Sequence, residues 1–226
     1  MCGRYVSPDE ASIEREFNLV HHDWQFPTSY NVAPTQPIPV IRIAADGERS
    51  GVLMHWGLIP YWAKGIPPKY STINATIEKL TEAATWRGPW SRGQRCILPA
   101  RGFYEWQVQP DGRTKQPYYI TLDDQDIFGF AGLWDRSKRD DGTQVESCAI
   151  ITMPASKLMS EIHNAKQRMP AILTREDRDA WLMGTPDEGF AALKQYPDTH
   201  LVARPVSTRV NAPKNNDATL IEPLAA

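Results

Sequence analysis

The chain opens Met1-Cys2-Gly3-Arg4. With Met1 removed, Cys2 carries a free α-amine and a thiol on neighbouring carbons, a 1,2-aminothiol. Such an amine condenses with an aldehyde to a Schiff base. The thiol then closes on the same carbon to a five-membered thiazolidine, and because this step is intramolecular the adduct persists. An α-amine titrates at about 7.7–8.0 and a thiol at about 8.5, so both groups have a reactive fraction near neutral pH. Gly3 lets the backbone approach a ligand closely. Arg4 either places a cation beside the nucleophile or forms a surface salt bridge.

Three more segments carry candidate chemistry. In Gly102-Phe103-Tyr104-Glu105-Trp106, a strand puts Phe103 and Glu105 on one face and Tyr104 and Trp106 on the other. A carboxyl among aromatic rings has its proton affinity raised and serves as a general acid or base; the alternative is an edge-strand glutamate turned to solvent. In Glu161-Ile162-His163-Asn164, His163 lies at a helix end whose buried face carries Leu158 and Ile162, and Arg168-Met169-Pro170 follows in the same loop. A lone histidine there is either structural or a proton carrier. In Ser71-Thr72-Ile73-Asn74-Ala75-Thr76-Ile77-Glu78, Asn74 sits just before an expected helix, where an amide caps the helix or binds a ligand.

The chain has 226 residues, a net charge of −2 and the composition of a soluble globular protein. Any nucleic-acid partner must therefore meet a local basic patch. No apolar run has the length of a membrane span and the N-terminus carries no signal-peptide core, so a cytoplasmic protein is expected. Cys2, Cys96 and Cys148 form no C-x-x-C pair. They build neither a zinc site nor a disulfide framework, and Cys96 and Cys148 read as buried small hydrophobes.

These residues need a scaffold. Ser7 is expected to cap a first helix, with Pro8 at its first position, Glu10 closing a capping box, and Ile13 and Phe17 on the buried face. Tyr30–Thr35 reads as a loop. Strands are expected at about 38–43 and 52–56, then an aromatic-rich loop from Trp56 to Trp62 and a helix over about 76–86. Further strands follow at about 95–99, 102–108, 117–122, 127–134 and 146–152, with Asp111-Gly112 turning a hairpin. Helices fall at about 155–163, 175–183 (capped by Thr174, with Asp177 in its first turn) and 187–195. A strand near 200–206 precedes a polar tail from about 212. Short connections between strands imply antiparallel pairing, hence one α+β domain over 1–226 built on a curved sheet or barrel with peripheral helices.

Together the segments resemble the SOS-response-associated peptidase (SRAP) family. The resemblance rests on the Cys2-Gly3-Arg4 start, Tyr30-Asn31-Val32-Ala33-Pro34-Thr35, Trp56-Gly57-Leu58-Ile59-Pro60, Asn74-Ala75, Gly102 to Trp106, Gln116-Pro117-Tyr118, and Ile162-His163 before Arg168-Met169-Pro170. It runs from Cys2 to about Asn216. Members recognise abasic sites in single-stranded DNA and link to them covalently, shielding the lesion during the DNA-damage response. The resemblance implies that Cys2 is the nucleophile and Asn74 holds the sugar or crosslink. It makes Glu105 the proton-transfer group for ring opening and imine chemistry, and His163 the group that protonates or orients the sugar hydroxyl. It implies removal of the protein's own Met1, weak abasic-site lyase activity, and no metal or other cofactor. A monomer is expected, associated with the nucleoid when on DNA. Arg4 and Arg168 would meet phosphates, and Pro34, Tyr61 and Trp62 would form the surface on which bases stack.

Two departures stand out. The family pattern Asn-Ala-Arg-x-Glu is here Asn74-Ala75-Thr76-Ile77-Glu78, so Thr76 replaces an arginine expected to grip a phosphate. His163 and Arg168 are separated by four residues where His-Asp-Arg is commoner, and Lys166 in that loop supplies a local charge. Two rival classes share features of the chain. An N-terminal-nucleophile amidohydrolase also begins Met-Cys-Gly, but no glutamine-binding motif is present. A non-covalent single-strand binding module, with Cys2 incidental, is the other.

Overall fold

The strands carry β-branched and aromatic residues and close into two connected sheets. A computed structural model describes residues 2–224. The first half contributes β1 (Tyr5–Val6), β2 (His21–His22), β3 (Pro37–Ile43), β4 (Arg49–Trp56), β5 (Asn74–Thr76) and β6 (Arg95–Ala100). The hairpin β7 (Gly102–Val108) and β8 (Lys115–Leu122) comes next, then the two long strands β9 (Phe128–Lys138) and β10 (Gln144–Pro154), and finally β11 (Arg168–Pro170), β12 (Ile172–Leu173) and β13 (Leu201–Pro205). Five helices flank them: α1 (Glu10–Phe17), α2 (Ala84–Ser91), α3 (Lys157–Ile162), α4 (Asp177–Met183) and α5 (Pro186–Ala191). The α+β class with peripheral helices is the one expected.

Five strands form a closed ring. β4 pairs with β3, β3 with β6, β6 with β9 and β9 with β10, all antiparallel. β10 then returns to β4 in a parallel pairing, Ser147 opposite His55 and Cys148 opposite Trp56. Closure leaves the ring without free edges, and the sequence, read for antiparallel pairing, did not anticipate the parallel step. Every residue of β6 is buried. Cys96 and Cys148 lie inside this wall as buried free thiols, as expected.

The second sheet runs β1-β7-β8-β13. Its hairpin turns at Asp111-Gly112: Gly112 takes φ +66°, and the Asp111 carboxylate accepts from the Arg113 and Thr114 amides. β7 lies between β1 and β8, so its residues alternate between two apolar surroundings. Phe103 meets Phe130 and Phe128 edge-on at 5.7 and 6.5 Å, while Tyr104 stacks near Tyr119 at 5.2 Å on the other face. Tyr5 joins the sheets, its ring 5.4 Å from Trp56 and 6.1 Å from Phe130.

Local expectations fail where tertiary contacts intervene. The first helix is capped by Asp9, whose side chain accepts from the Ser12 amide; the Ser7 hydroxyl turns back to the Pro8 carbonyl. Ile13 and Phe17 are buried as the spacing required. The helix expected over 76–86 begins late, at Ala84. Asn74–Thr76 is instead a strand parallel to β10, Asn74 opposite Ile150 and Thr76 opposite Thr152. Ile77–Lys79 makes one 3-10 turn and the helix starts only at Ala84. Thr72, Ile73, Thr76 and Ile77 favour extended backbone, and the edge of β10 gives it a partner. Thr174 does accept from the Asp177 amide at 3.3 Å, although α4 begins at Asp177. The last helix is shorter than expected and is fixed by a Thr185–Glu188 capping box.

The segment after 212 is not a loose tail. Val206, Val210 and Leu220 are fully buried beside Tyr104 and Tyr119 in a second apolar cluster. The Asn31 amide donates to the carbonyls of Val210, Ala212 and Asn215, and the Asn216 side chain accepts from the Tyr30 amide at 2.7 Å. A polar sequence is held down here by its backbone carbonyls, which composition does not reveal. No helix among the described residues is long and apolar enough to cross a membrane.

Candidate functional site

Cys2 is placed by the strand that carries Glu105. Tyr5 pairs with Phe103 and Val6 with Gly102, and the Tyr104 amide donates to the Arg4 carbonyl at 3.0 Å. Continuing that register brings Gly3 opposite Glu105. From the other side the Asn74 Nδ2 donates to the Cys2 carbonyl at 2.9 Å. Cys2, Asn74, Glu105 and His163 are all buried. They come from the N-terminus, β5, β7 and the end of α3, which are far apart in the chain.

Burial sets the proton chemistry. It pushes the Glu105 carboxyl up from 4.5 to about 7, countered in part by the charge of Lys166. Glu105 therefore exchanges a proton readily at neutral pH, and the edge-strand alternative does not hold: β7 is flanked on both sides and Glu105 is 2% exposed. Burial, with the Glu105 charge adding to it, holds the Cys2 thiol far above the ordinary thiol range. The thiol must give up its proton as it reacts. Burial also lowers the proton affinity of His163, so the imidazole is neutral at pH 7. Its Nδ1 lies 2.8 Å from the Arg168 carbonyl. A carbonyl only accepts, so Nδ1 carries the hydrogen and Nε2 presents its lone pair. Nε2 lies 3.8 Å from Glu105 Oε2, close for electrostatics but longer than a hydrogen bond.

The His163 ring is held by a relay. His163 closes α3, its amide donating to the Met159 carbonyl. Arg168 grips Glu78 with both terminal nitrogens, at 2.6 and 3.0 Å, and donates to the Thr152 carbonyl at 2.7 Å. Arg168 thus fixes the carbonyl that orients His163. Arg4 is also committed: it donates to Asn31 Oδ1 at 3.0 Å, the Val210 carbonyl at 2.8 Å and the Asn211 carbonyl at 3.3 Å. Its contacts clamp the C-terminal segment, and the surface salt bridge named as its alternative role is not among them.

Two cavities meet at Asn74. One, of about 270 Å³, is lined by Asn74, Glu105, Trp106 and His163 together with Lys115 and Lys166. The other, of about 520 Å³, runs past Tyr70, Thr76, Lys79 and Trp86. Arg4, Pro34, Tyr61, Trp62 and Arg168 line neither. Tyr61 and Trp62 stand out from a 3-10 turn at 58% and 49% exposure. The turn is pinned by Asp135, which accepts from the Tyr61 amide and from Arg92, and the Arg92 guanidinium lies 5.1 Å over the Tyr61 ring. Pro34 is half-buried in the turn that follows the Val32–Tyr5 bridge. Sequence reasoning missed Lys115; its signal was the hairpin register, which sets it opposite Val108. One cluster of metal-ligand types exists among the described residues, Asp123, Asp124 and His200. It lies outside both cavities, and His200 is bound to Asp123 at 2.9 Å as a surface ion pair.

The sequence profile of the SOS response associated peptidase (SRAP) family matches residues 1–213. The chain is 40% identical to Abasic site processing protein YoqW of Bacillus subtilis over 98% of its own length and 99% of that protein. It is 34% identical to Abasic site processing protein HMCES of Xenopus tropicalis, over 96% of this chain and 76% of that one. Its fold is similar to crystal structures of proteins from Bordetella bronchiseptica (TM-score 0.79, 28% identity, 91% of this chain and 100% of that chain) and Bacteroides thetaiotaomicron (TM-score 0.75, 30% identity, 87% and 85%). On the profile match and the near full-length identity, the chain belongs to the SOS response associated peptidase (SRAP) family.

Proposed function

We propose that this protein processes abasic sites in single-stranded DNA by forming a covalent thiazolidine through Cys2. The observation that carries the reading is the convergence of Asn74, Glu105 and His163 on one cavity, with Asn74 bonded to the Cys2 carbonyl. The names of the relatives speak of abasic-site processing and support that part of the reading. While Met1 is attached, the Cys2 nitrogen is an amide and cannot condense, so Met1 removal comes first. Self-processing by the same site is part of the proposal.

The steps balance with one proton carrier. The Cys2 amine adds to C1′ of the open-chain sugar and gives a carbinolamine. Protonated Glu105 donates to the departing hydroxyl, water leaves and an iminium remains. Sγ then bonds to C1′, its proton passes to the Glu105 carboxylate, and the C=N electron pair returns to nitrogen. The net reaction is aldehyde plus aminothiol to thiazolidine plus water. A carboxyl near pH 7 suits both halves. Asn74 Oδ1 is buried without a hydrogen-bond partner among the described residues and is an acceptor for the Cys2 nitrogen. His163 Nε2 orients the sugar hydroxyl. At the iminium stage β-elimination competes and gives weak lyase activity. The exposed Tyr61 and Trp62 and the half-buried Pro34 serve as the stacking surface for flanking bases.

The test is a denaturing gel. The mature protein mixed with a single strand carrying one abasic site should give a band that survives boiling in detergent. Cys2→Ala, or protein with residues appended before Cys2, should give none. A heat-stable adduct from Cys2→Ala at the wild-type rate would exclude the thiazolidine route and leave a non-covalent or other covalent mode.

A further inference from the structure

We infer that three lysines, Lys79, Lys115 and Lys166, hold the phosphates that flank the reacting sugar, in place of the arginines Arg4 and Arg168. The inference rests on the single-strand reading above. Both arginines are already spent: to meet a phosphate, Arg168 would have to release a bidentate carboxylate, and Arg4 would have to release the Asn31 side chain and the carbonyls of Val210 and Asn211. The three lysines are exposed. Among the described residues, none of their ammonium groups has a carboxylate within 4.0 Å or a side-chain hydrogen bond.

Their placement follows the cavities. Lys115 and Lys166 line the cavity of Glu105 and His163. Both are anchored to the end of β7 through Val108. Lys115 stands opposite Val108 in the hairpin register. The loop of Lys166 is clamped to Val108 by Asn164, which accepts from its amide and donates to its carbonyl, each at 2.9 Å. The loop is closed by Gln167 at φ +50°, whose amide donates to the His163 carbonyl at 2.8 Å. Lys79 lies across Asn74, lining the second groove with Thr76. A nucleotide sugar carries one phosphate on each side. With the sugar at Asn74, Lys115 and Lys166 face one phosphate and Lys79 the other, and the Thr76 hydroxyl beside Lys79 needs no charge of its own. A protein of net charge −2 has no global field to draw in a polyanion, so these local cations supply the attraction.

Each lysine that neutralises a phosphate on a single strand contributes roughly 0.7 to the slope of log K against log salt. The experiment measures binding of a fluorescent intact oligothymidylate to the full chain carrying Cys2→Ala, which removes crosslinking, at several salt concentrations. Lys115→Met with Lys166→Met, which together face one phosphate, should flatten the slope by about 0.7, and Lys79→Met by about 0.7. Lys115→Arg with Lys166→Arg should retain it, and Lys138→Met, in neither cavity, should leave it unchanged. Slopes that stay parallel in the methionine variants while the parent protein binds would overturn the lysine assignment alone. Absence of binding by the parent protein at every salt concentration would overturn both this assignment and the single-strand reading.

Discussion

Glu105→Gln should make the protein more stable above neutral pH while slowing its chemistry. The Glu105 carboxyl is raised from 4.5 to about 7 chiefly by burial. At 1.36 kcal/mol per pH unit, that difference corresponds to about 3 kcal/mol between the folded and unfolded chains. The folded state holds this proton more tightly than the unfolded state. The contribution to stability is therefore full below about pH 4.5 and is lost as pH rises through about 7. Glutamine has the shape of the protonated acid and does not titrate. At pH 5 the variant should be ahead of the parent by less than about 1 kcal/mol. At pH 8 the variant should be more stable by about 3 kcal/mol, or roughly 6–12 °C in Tm for a chain of this size. Urea titrations at the two pH values, each extrapolated to water, give the comparison. The same variant should form the abasic-site adduct about 10²–10⁴-fold more slowly. A stability difference identical at pH 5 and pH 8 would refute the assignment of a buried, proton-holding Glu105. An unslowed adduct would refute its catalytic role.

Other perturbations test the supports of the site. Asn74→Ala removes the 2.9 Å bond to the Cys2 carbonyl and should slow crosslinking by about tenfold, the equivalent of roughly 1.4 kcal/mol of positioning; a wild-type single-turnover rate would show that the bond positions nothing. Gly102→Ala places a Cβ 2.5 Å from the Tyr119 ring, and overpacking of this kind costs about 1–3 kcal/mol, to be read as a lower urea midpoint. Leu220→Ala empties a fully buried position and should cost about 2–5 kcal/mol. Because Val210 and Asn211 hold Arg4, hydrogen exchange at Tyr5 should speed up in that variant. Unchanged exchange would mean that the C-terminal segment does not restrain the N-terminus.

Much was legible from local pattern. The alternation of Phe103, Tyr104, Glu105 and Trp106 marked a strand between two apolar surroundings, since a strand's period is a property of its backbone. Ile13 and Phe17 marked the buried face of α1 for the same kind of reason. Cys2, Asn74, Glu105 and His163 were marked by residue type and by family resemblance, and so was the need for local cations. Tertiary structure decided the rest. The stretch after Asn74 has helical composition in Glu78–Ala84, yet its start is a strand, because the open edge of β10 satisfies backbone groups that a helix would have satisfied internally. The segment after 212 looks free by composition, yet Asn31 and Arg4 hold its carbonyls, and no sequence pattern reports a carbonyl. The same contacts settle which cations are committed and which are not. Charge is a property of the residue, while pairing depends on neighbours brought from elsewhere in the chain: Glu78 to Arg168, Val210 to Arg4. Residue types alone set which groups can carry protons, thiol and charge. Only folding decided which of them lose water, as Glu105 does, because desolvation is set by everything packed around a group and not by the residues beside it in the chain.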